Sequence, residues 1–284
     1  MGKTKTLFIT DLDGTLLNSN EKITPVTAKI INNLIDKGLI FTYATARSYL
    51  TALKVIGDIN FKYPAVHKNG VCVQNPKTGD YFEKRIFDKD IISELINKIQ
   101  DNKFFPMVYA FIDGAERVSW IQGKENDEMR SFLETRRNDK RRRPVNDYGK
   151  FYDGEIHNII FFGKSSAELQ KILNILNLSE YFAYHIAEDT YKDEYGNKTY
   201  WLEIIRFDAT KDFGVKKVKE LVGADKIVCF GDNTNDIPMF NFCDEKYAPA
   251  NAIDEIKNIA TGIIDSNDND GVAKWLEKHA RDYI

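Results

Sequence analysis

The chain uses one pattern at both of its ends and another in between, and that contrast constrains its fold more than any other feature. Near the start, residues 7–10 form a short apolar run that stops at an acidic, glycine-containing turn. Thr24-Pro25 reads as a helix N-cap followed by proline at the first helical position. Ile30, Ile31, Leu34 and Ile35 give that helix one apolar face, and Gly38 ends it. Residues 39–44 read as a second strand and 48–56 as a second helix. The alternation returns at the other end, with a helix over 211–222, a strand over 226–230 and an acidic turn leading into a helix at 238–242. Helices over 254–260 and 271–279 complete it.

Strand–helix alternation with short loops predicts an α/β fold, a Rossmann-like parallel sheet with helices on both faces. The middle is richer in strands: residues 82–87, 107–112, 117–122, 157–162, 182–187 and 201–206. Helical stretches at 90–99, 126–134 and 167–176 separate them. The runs 107–112 and 117–122 flank Asp113-Gly114, a hairpin signal rather than a crossover. These readings divide the chain into a core, residues 1–83 with 207–284, and an inserted α+β domain, residues 84–206.

Composition removes several classes of function. A net charge of −3 leaves no global field for nucleic acid or an anionic membrane, and no partner of either kind is expected. Apolar runs such as 159–162 are far too short to span a bilayer. The short polar start carries no secretory pattern, and Cys72, Cys229 and Cys243 are too few and too scattered for a disulfide framework. A reducing cytoplasm is the expected location, with the chain a monomer or weak homodimer. Met1, Gly2 and Thr6 fit a myristoylation pattern that is permissive enough to arise by coincidence. Sequons at Asn177 and Asn197 carry no meaning without secretion.

The two acidic turns, Asp11-Leu12-Asp13-Gly14-Thr15 and Gly231-Asp232-Asn233-Thr234-Asn235-Asp236, each follow a predicted strand. Open α/β sheets bind ligands at the carboxyl ends of their strands. If the two strands are neighbours, three or four carboxylates converge, and a cation is needed to hold them together. Oxygen donors with no His or Cys nearby favour Mg²⁺. Alone, the first turn is equally a tight turn or a fragment of a Ca²⁺ loop, though no Glu stands in the EF-hand register.

Taken together, the motifs resemble the haloacid dehalogenase-like phosphatase superfamily. Residues 8–17, running through Asp11-Leu12-Asp13-Gly14-Thr15, are similar to its first signature and Ala44-Thr45-Ala46-Arg47 to its second. Lys211, opening a helix, resembles the third, and the Gly231–Asp236 turn the fourth. An insert between the second and third resembles the Cof-type subgroup, as do Asn69-Gly70 and Asp270-Gly271-Val272-Ala273. The resemblance implies a Mg²⁺-dependent phosphatase of small phosphorylated metabolites such as sugar phosphates, with the insert acting as a substrate-selecting cap. It implies Asp11 as nucleophile, forming an aspartyl phosphate, and Asp13 as general acid and base. Thr45 and Lys211 would hold the phosphoryl group, with Ala46, Arg47 and Asn235 also on the substrate. Asp11, Asp232 and the Asp13 backbone carbonyl would hold the metal, with Gly14, Asn235 and Asp236 in support.

Each residue also has a plainer reading. Thr45 can cap the following helix, Lys211 can be a solvated lysine, and Arg47 is equally a structural ion pair. Ala46, Asp212 and the segment Pro249-Ala250-Asn251-Ala252 depart from the subgroup's pattern in loops around the expected phosphate site. Arg136, Arg137, Lys140, Arg141, Arg142 and Arg143 form a basic run, read either as a mobile solvated loop or as a seat for an anionic leaving group. His67, His157 and His185 are dispersed and read as structural. A sugar phosphomutase and a non-catalytic phosphometabolite sensor are the alternatives. A dehalogenase would lack the Asp13 carboxyl.

Overall fold

A computed structural model describes residues 4–192 and 198–283. Met1, Gly2 and the Asn197 sequon lie outside the described residues. Along the chain come β1 (Thr6–Thr10), α1 (Pro25–Asp36), β2 (Ile40–Tyr43), α2 (Tyr49–Ala52), β3 (Ala65–His67), β4 (Cys72–Gln74) and β5 (Tyr81–Lys84). Next are α3 (Lys89–Asp101), β6 (Met107–Ile112), β7 (Ala115–Ile121), α4 (Asp127–Glu134), β8 (Arg142–Val145), β9 (Glu155–Gly163), α5 (Ser166–Leu176), β10 (Phe182–Lys192) and β11 (Lys198–Arg206). The chain closes with α6 (Lys211–Val222), β12 (Lys226–Phe230), α7 (Ile237–Phe242), β13 (Glu245–Pro249), α8 (Asp254–Ile259), β14 (Gly262–Ile264) and α9 (Gly271–His279). Two compact units result: Met1–Lys84 with Ala209–Ile284, and Arg85–Asp208.

The first unit is built on a parallel sheet of order β14-β13-β12-β1-β2. Alternate side chains of β1 enter different cores, which is why its five residues are all buried. Phe8 joins Phe41, Tyr43, Val228 and Phe230 beneath α1 and α9. Leu7 and Ile9 join Ile227 and Cys229 beneath α6, α7 and α8. The start of α1 forms as its sequence requires, with Thr24 accepting from the Thr27 N–H at 3.0 Å ahead of Pro25. The expected helix over 48–56 shrinks to α2, capped by Ser48. Beyond it the chain turns so that Ile56, Ile59 and Phe61 reach the core, and their burial overrides helical continuation. The strand expected at 82–87 sits at Tyr81–Lys84, in a small antiparallel sheet with β3 and β4. Strands of three to five residues, such as β3, β4, β8, β13 and β14, are too short to announce themselves by periodicity.

The second unit is a six-stranded sheet of order β10-β11-β9-β6-β7-β8. The hairpin between β6 and β7 turns at Asp113 and Gly114, with φ of 50° and 75°. Both central residues are left-handed, as the tightest hairpin turns demand. Helices α3 and α5 cover one face through Ile92, Leu95, Leu169 and Leu173. Helix α4 covers part of the other through Met129 and Leu133, against Tyr109, Trp120 and Phe162.

The basic run lies here, and its five arginines are engaged by neighbouring carboxylates, carbonyls and rings. Arg141 pairs with Glu116 at 2.6 Å and with Asp139 at 2.7 Å. Arg143 pairs with Asp153 and donates to the Lys150 carbonyl, while Arg137 pairs with Glu134. Arg136 and Arg142 lie over the rings of Phe132 and Trp120. Arg141, Arg142 and Arg143 thus tie the edge strand β8 to its neighbours.

Candidate active site

Strands β1 and β12 are adjacent, with Thr10 opposite Phe230, and the chain leaves them in opposite directions. From β1 it continues to β2, and from β12 to β13, so a crevice opens at the carboxyl ends of the central pair. Both acidic turns begin there. The Asp11 N–H donates to the Phe230 carbonyl at 2.9 Å, locking the start of the first turn against the end of β12. Gly14 has a φ of +76°, and a Cβ there would stand 2.3 Å from Asp232 Oδ2. Only glycine allows both the left-handed turn and the close approach of the second acidic loop. The Thr15 hydroxyl then donates to Asp232 Oδ1 at 2.7 Å, tying the turns together.

Lys211 is the first residue of α6 and is buried, which excludes the reading of a solvated lysine. Its seat depends on Gly70, where a Cβ would stand 2.0 Å from the Thr210 carbonyl oxygen. Its ammonium lies 2.6 Å from Asp11 Oδ1 and 2.6 Å from Asp236 Oδ1. Burial opposes its charge, but Asp11 and Asp236 outweigh that, so its pKa is held above the ordinary lysine range. Asp236 is committed on both sides, because its other oxygen accepts from the Asp232 and Asn233 N–H groups at 2.9 and 3.2 Å. It therefore orients Lys211 and stiffens the second turn.

Asp11, Asp232 and Asp236 each bring an oxygen within 4.8 Å of the others. Burial pushes the Asp11 carboxyl well up, with Lys211 opposing and Asp236 adding to the rise. Burial likewise lifts Asp232 to about 6, with the Thr15 hydroxyl opposing and Asp236 reinforcing. Three carboxylates against one ammonium leave the cluster short of positive charge. With Asp236 occupied, Asp11 and Asp232 are the side chains suited to a divalent cation, and an all-oxygen set suits a hard one.

The remaining expected residues divide. Thr45 is buried at the end of β2, and its hydroxyl accepts from the Arg47 N–H at 3.0 Å. Ser48, not Thr45, caps α2. Arg47 grips the Asp13 carboxylate at 2.8 Å through Nε and 2.5 Å through Nη2, and also reaches Glu21 at 2.7 Å. The Asp13 carboxyl is thus turned to an ion pair, outside the trio of Asp11, Asp232 and Asp236. Glu21 had no signal in the sequence, being one acidic residue in a polar turn. Ala46 is exposed beside this pair. Asn235 donates to Asn69 Oδ1 at 3.1 Å, which joins the Asn69-Gly70 turn to the second acidic loop. His67, just before that turn, is buried against the Tyr43 hydroxyl at 3.0 Å, and burial drives its pKa down to about 3.

A parallel sheet with two acidic turns at its switch point and a buried lysine between them defines a class of hydrolytic enzymes. The sequence model for haloacid dehalogenase-like hydrolases matches residues 8–276, and this chain belongs to that family. A Buchnera aphidicola protein is 29% identical over 96% of this chain and 95% of its own length. The 5-amino-6-(5-phospho-D-ribitylamino)uracil phosphatase YitU of Bacillus subtilis is 23% identical over 96% of this chain and 97% of its own. A crystal structure from Thermotoga maritima superposes with a TM-score of 0.76, at 23% identity and 97% coverage of both chains. Among the described residues no helix is long and apolar enough to cross a membrane.

Proposed function

We propose that this chain is a Mg²⁺-dependent phosphatase that hydrolyses a small phosphomonoester through an aspartyl phosphate on Asp11. The observation that carries this reading is the buried Lys211, poised at 2.6 Å between Asp11 and Asp236 beside Asp232. Such an arrangement gathers a nucleophilic oxygen and a fixed positive charge at one point, as phosphoryl transfer requires.

In the first step an Asp11 oxygen attacks phosphorus, the bond from phosphorus to the ester oxygen breaks, and the alcohol leaves with a proton from Asp13. In the second, Asp13 takes a proton from water, and the resulting hydroxide attacks the phosphorus. The bond to Asp11 then breaks and inorganic phosphate is released. For Asp13 to serve, its carboxyl exchanges the Arg47 pair seen here for the leaving oxygen, and Arg47 becomes available to the substrate. Lys211 and the Thr45 hydroxyl hold the non-bridging oxygens. Asp11, Asp232 and the Asp13 carbonyl would hold Mg²⁺, which when bound would neutralise phosphoryl charge. The inserted unit, acting as the cap, would choose the leaving group.

The test is hydrolysis of p-nitrophenyl phosphate with Mg²⁺, followed by a panel of phosphorylated sugars and of the phosphorylated ribitylaminouracil named for YitU. Phosphate release is expected on at least one natural ester, and full turnover by Asp11→Asn would sink the mechanism. Isomerisation of a sugar phosphate without phosphate release would point to a mutase instead.

A further inference from the structure

The segment Pro249-Ala250-Asn251-Ala252 departs from the usual subgroup pattern, yet it and the following Ile253 touch both acidic turns. Asn251 Nδ2 donates to the Gly14 carbonyl at 2.7 Å. The Ile253 N–H donates to the Asp232 carbonyl at 3.0 Å. Asn251 Oδ1 in turn accepts from the Asn267 N–H at 3.0 Å, and Asn267 Nδ2 donates to the Leu17 carbonyl at 3.0 Å. The two carbonyls held in this way, Gly14 and Leu17, bracket the second half of the first turn. Asn267 is buried, so the anchor of the relay is shielded from water.

The peptide held by Asn251 joins Gly14 to Thr15, and the Thr15 hydroxyl is the group that fixes Asp232 Oδ1. Gly14 is also where the Asp232 carboxylate lies too close for any side chain. A small rotation of that peptide would therefore shift the Asp232 carboxylate relative to Asp11. We infer that Asn251 is a positioning residue: it holds the Gly14–Thr15 peptide, and through Thr15 the Asp232 carboxylate, at the separation from Asp11 that a divalent cation needs. The inference rests on the reading that Asp11 and Asp232 hold such a cation. Groups that orient metal ligands from behind typically matter at the level of about 10–100-fold in affinity. Asn251 is exposed and shares its amide with water, so the lower end applies.

The experiment is binding of Mn²⁺ alone to the full chain, read from the electron paramagnetic resonance of the unbound ion. Asn251→Ala and the near-isosteric Asn251→Leu are each expected to weaken Mn²⁺ binding by about tenfold while thermal unfolding stays close to wild type. With p-nitrophenyl phosphate, the Mg²⁺ activation constant should rise by the same factor, and kcat at saturating Mg²⁺ should be kept. Asn269→Ala is the control: it lies in the turn that carries Asn267, and among the described residues its side-chain amide bonds to Ser266 Oγ and not to Asn251 or to either acidic turn. The inference is overturned if both Asn251 variants bind Mn²⁺ as wild type does, if kcat falls with the activation constant unmoved, or if both variants fail to fold. A wild type that binds no Mn²⁺ removes the metal reading itself, and the positioning role with it.

Discussion

The molecule has two dense clusters of charge, and they are resolved in opposite ways. In the inserted unit, Arg141 and Arg143 find carboxylates and carbonyls from neighbouring turns, while Arg136 and Arg142 lie on aromatic rings. Around Lys211, three carboxylates share one ammonium, and burial lifts both Asp11 and Asp232. In the first cluster every arginine has a carboxylate or an aromatic ring as partner, and those at β8 secure an edge strand. The second is out of balance in a buried place, a condition the fold retains where a ligand supplies the missing charge. Local density of charge is therefore a poor guide to function, and how the charges are partnered and buried is a better one.

Substitutions separate the two clusters. Asp11→Asn should lower phosphatase turnover by on the order of 10⁴-fold with the fold kept, as circular dichroism would check. Lys211→Met removes the ammonium held between Asp11 and Asp236. It should cost about 3–5 kcal/mol in urea unfolding and lower kcat by about 10²–10³-fold. Arg141→Gln should destabilise by about 2 kcal/mol, because Glu116 and Asp139 lose a partly buried partner. Its kcat on p-nitrophenyl phosphate should stay within about threefold of wild type if the run is structural.

The buried histidine of the core gives a pH test of intermediate size. His67 is neutral when folded, with a pKa of about 3 against an ordinary 6.5, so below pH 6.5 the unfolded chain binds a proton the folded one does not. Its contribution is complete above pH 6.5 and declines as pH falls toward 3, by at most about 1.4 kcal/mol per pH unit. His67→Gln should make the stability measured at pH 5 and pH 7 more nearly equal, by about 1–2 kcal/mol. The smallest effect belongs to Arg137→Ala. Its pair with Glu134 is exposed, and the change in stability should be under about 0.5 kcal/mol.

Much of the first unit was legible because its signals are local. A strand ending in an acidic turn, Thr24-Pro25 opening a helix, and helices over 211–222 and 271–279 all follow from periodicity and caps within a few residues. The helix over 48–56 failed because Ile56, Ile59 and Phe61 serve a core assembled from elsewhere in the chain. At the candidate site the residue types were legible, but their pairings were not. Nothing near Asp13 in sequence says that Arg47 will grip it, or that Glu21 will share that arginine. Asn251 lies 237 residues from the carbonyl it holds.

The alternation that builds a parallel sheet, the two turns that end its central strands, and the stock of carboxylates and lysine placed there were all readable from the chain's order of residues. Those depend on side-chain period, turn chemistry and residue identity, all written locally. Tertiary structure decided which carboxylates meet, that Asp236 is spent on Lys211 and backbone N–H groups, and that the arginines of the basic run find partners. Those outcomes depend on burial and on through-space distance, which a chain acquires only once strands far apart in sequence, β1 and β12 above all, lie side by side.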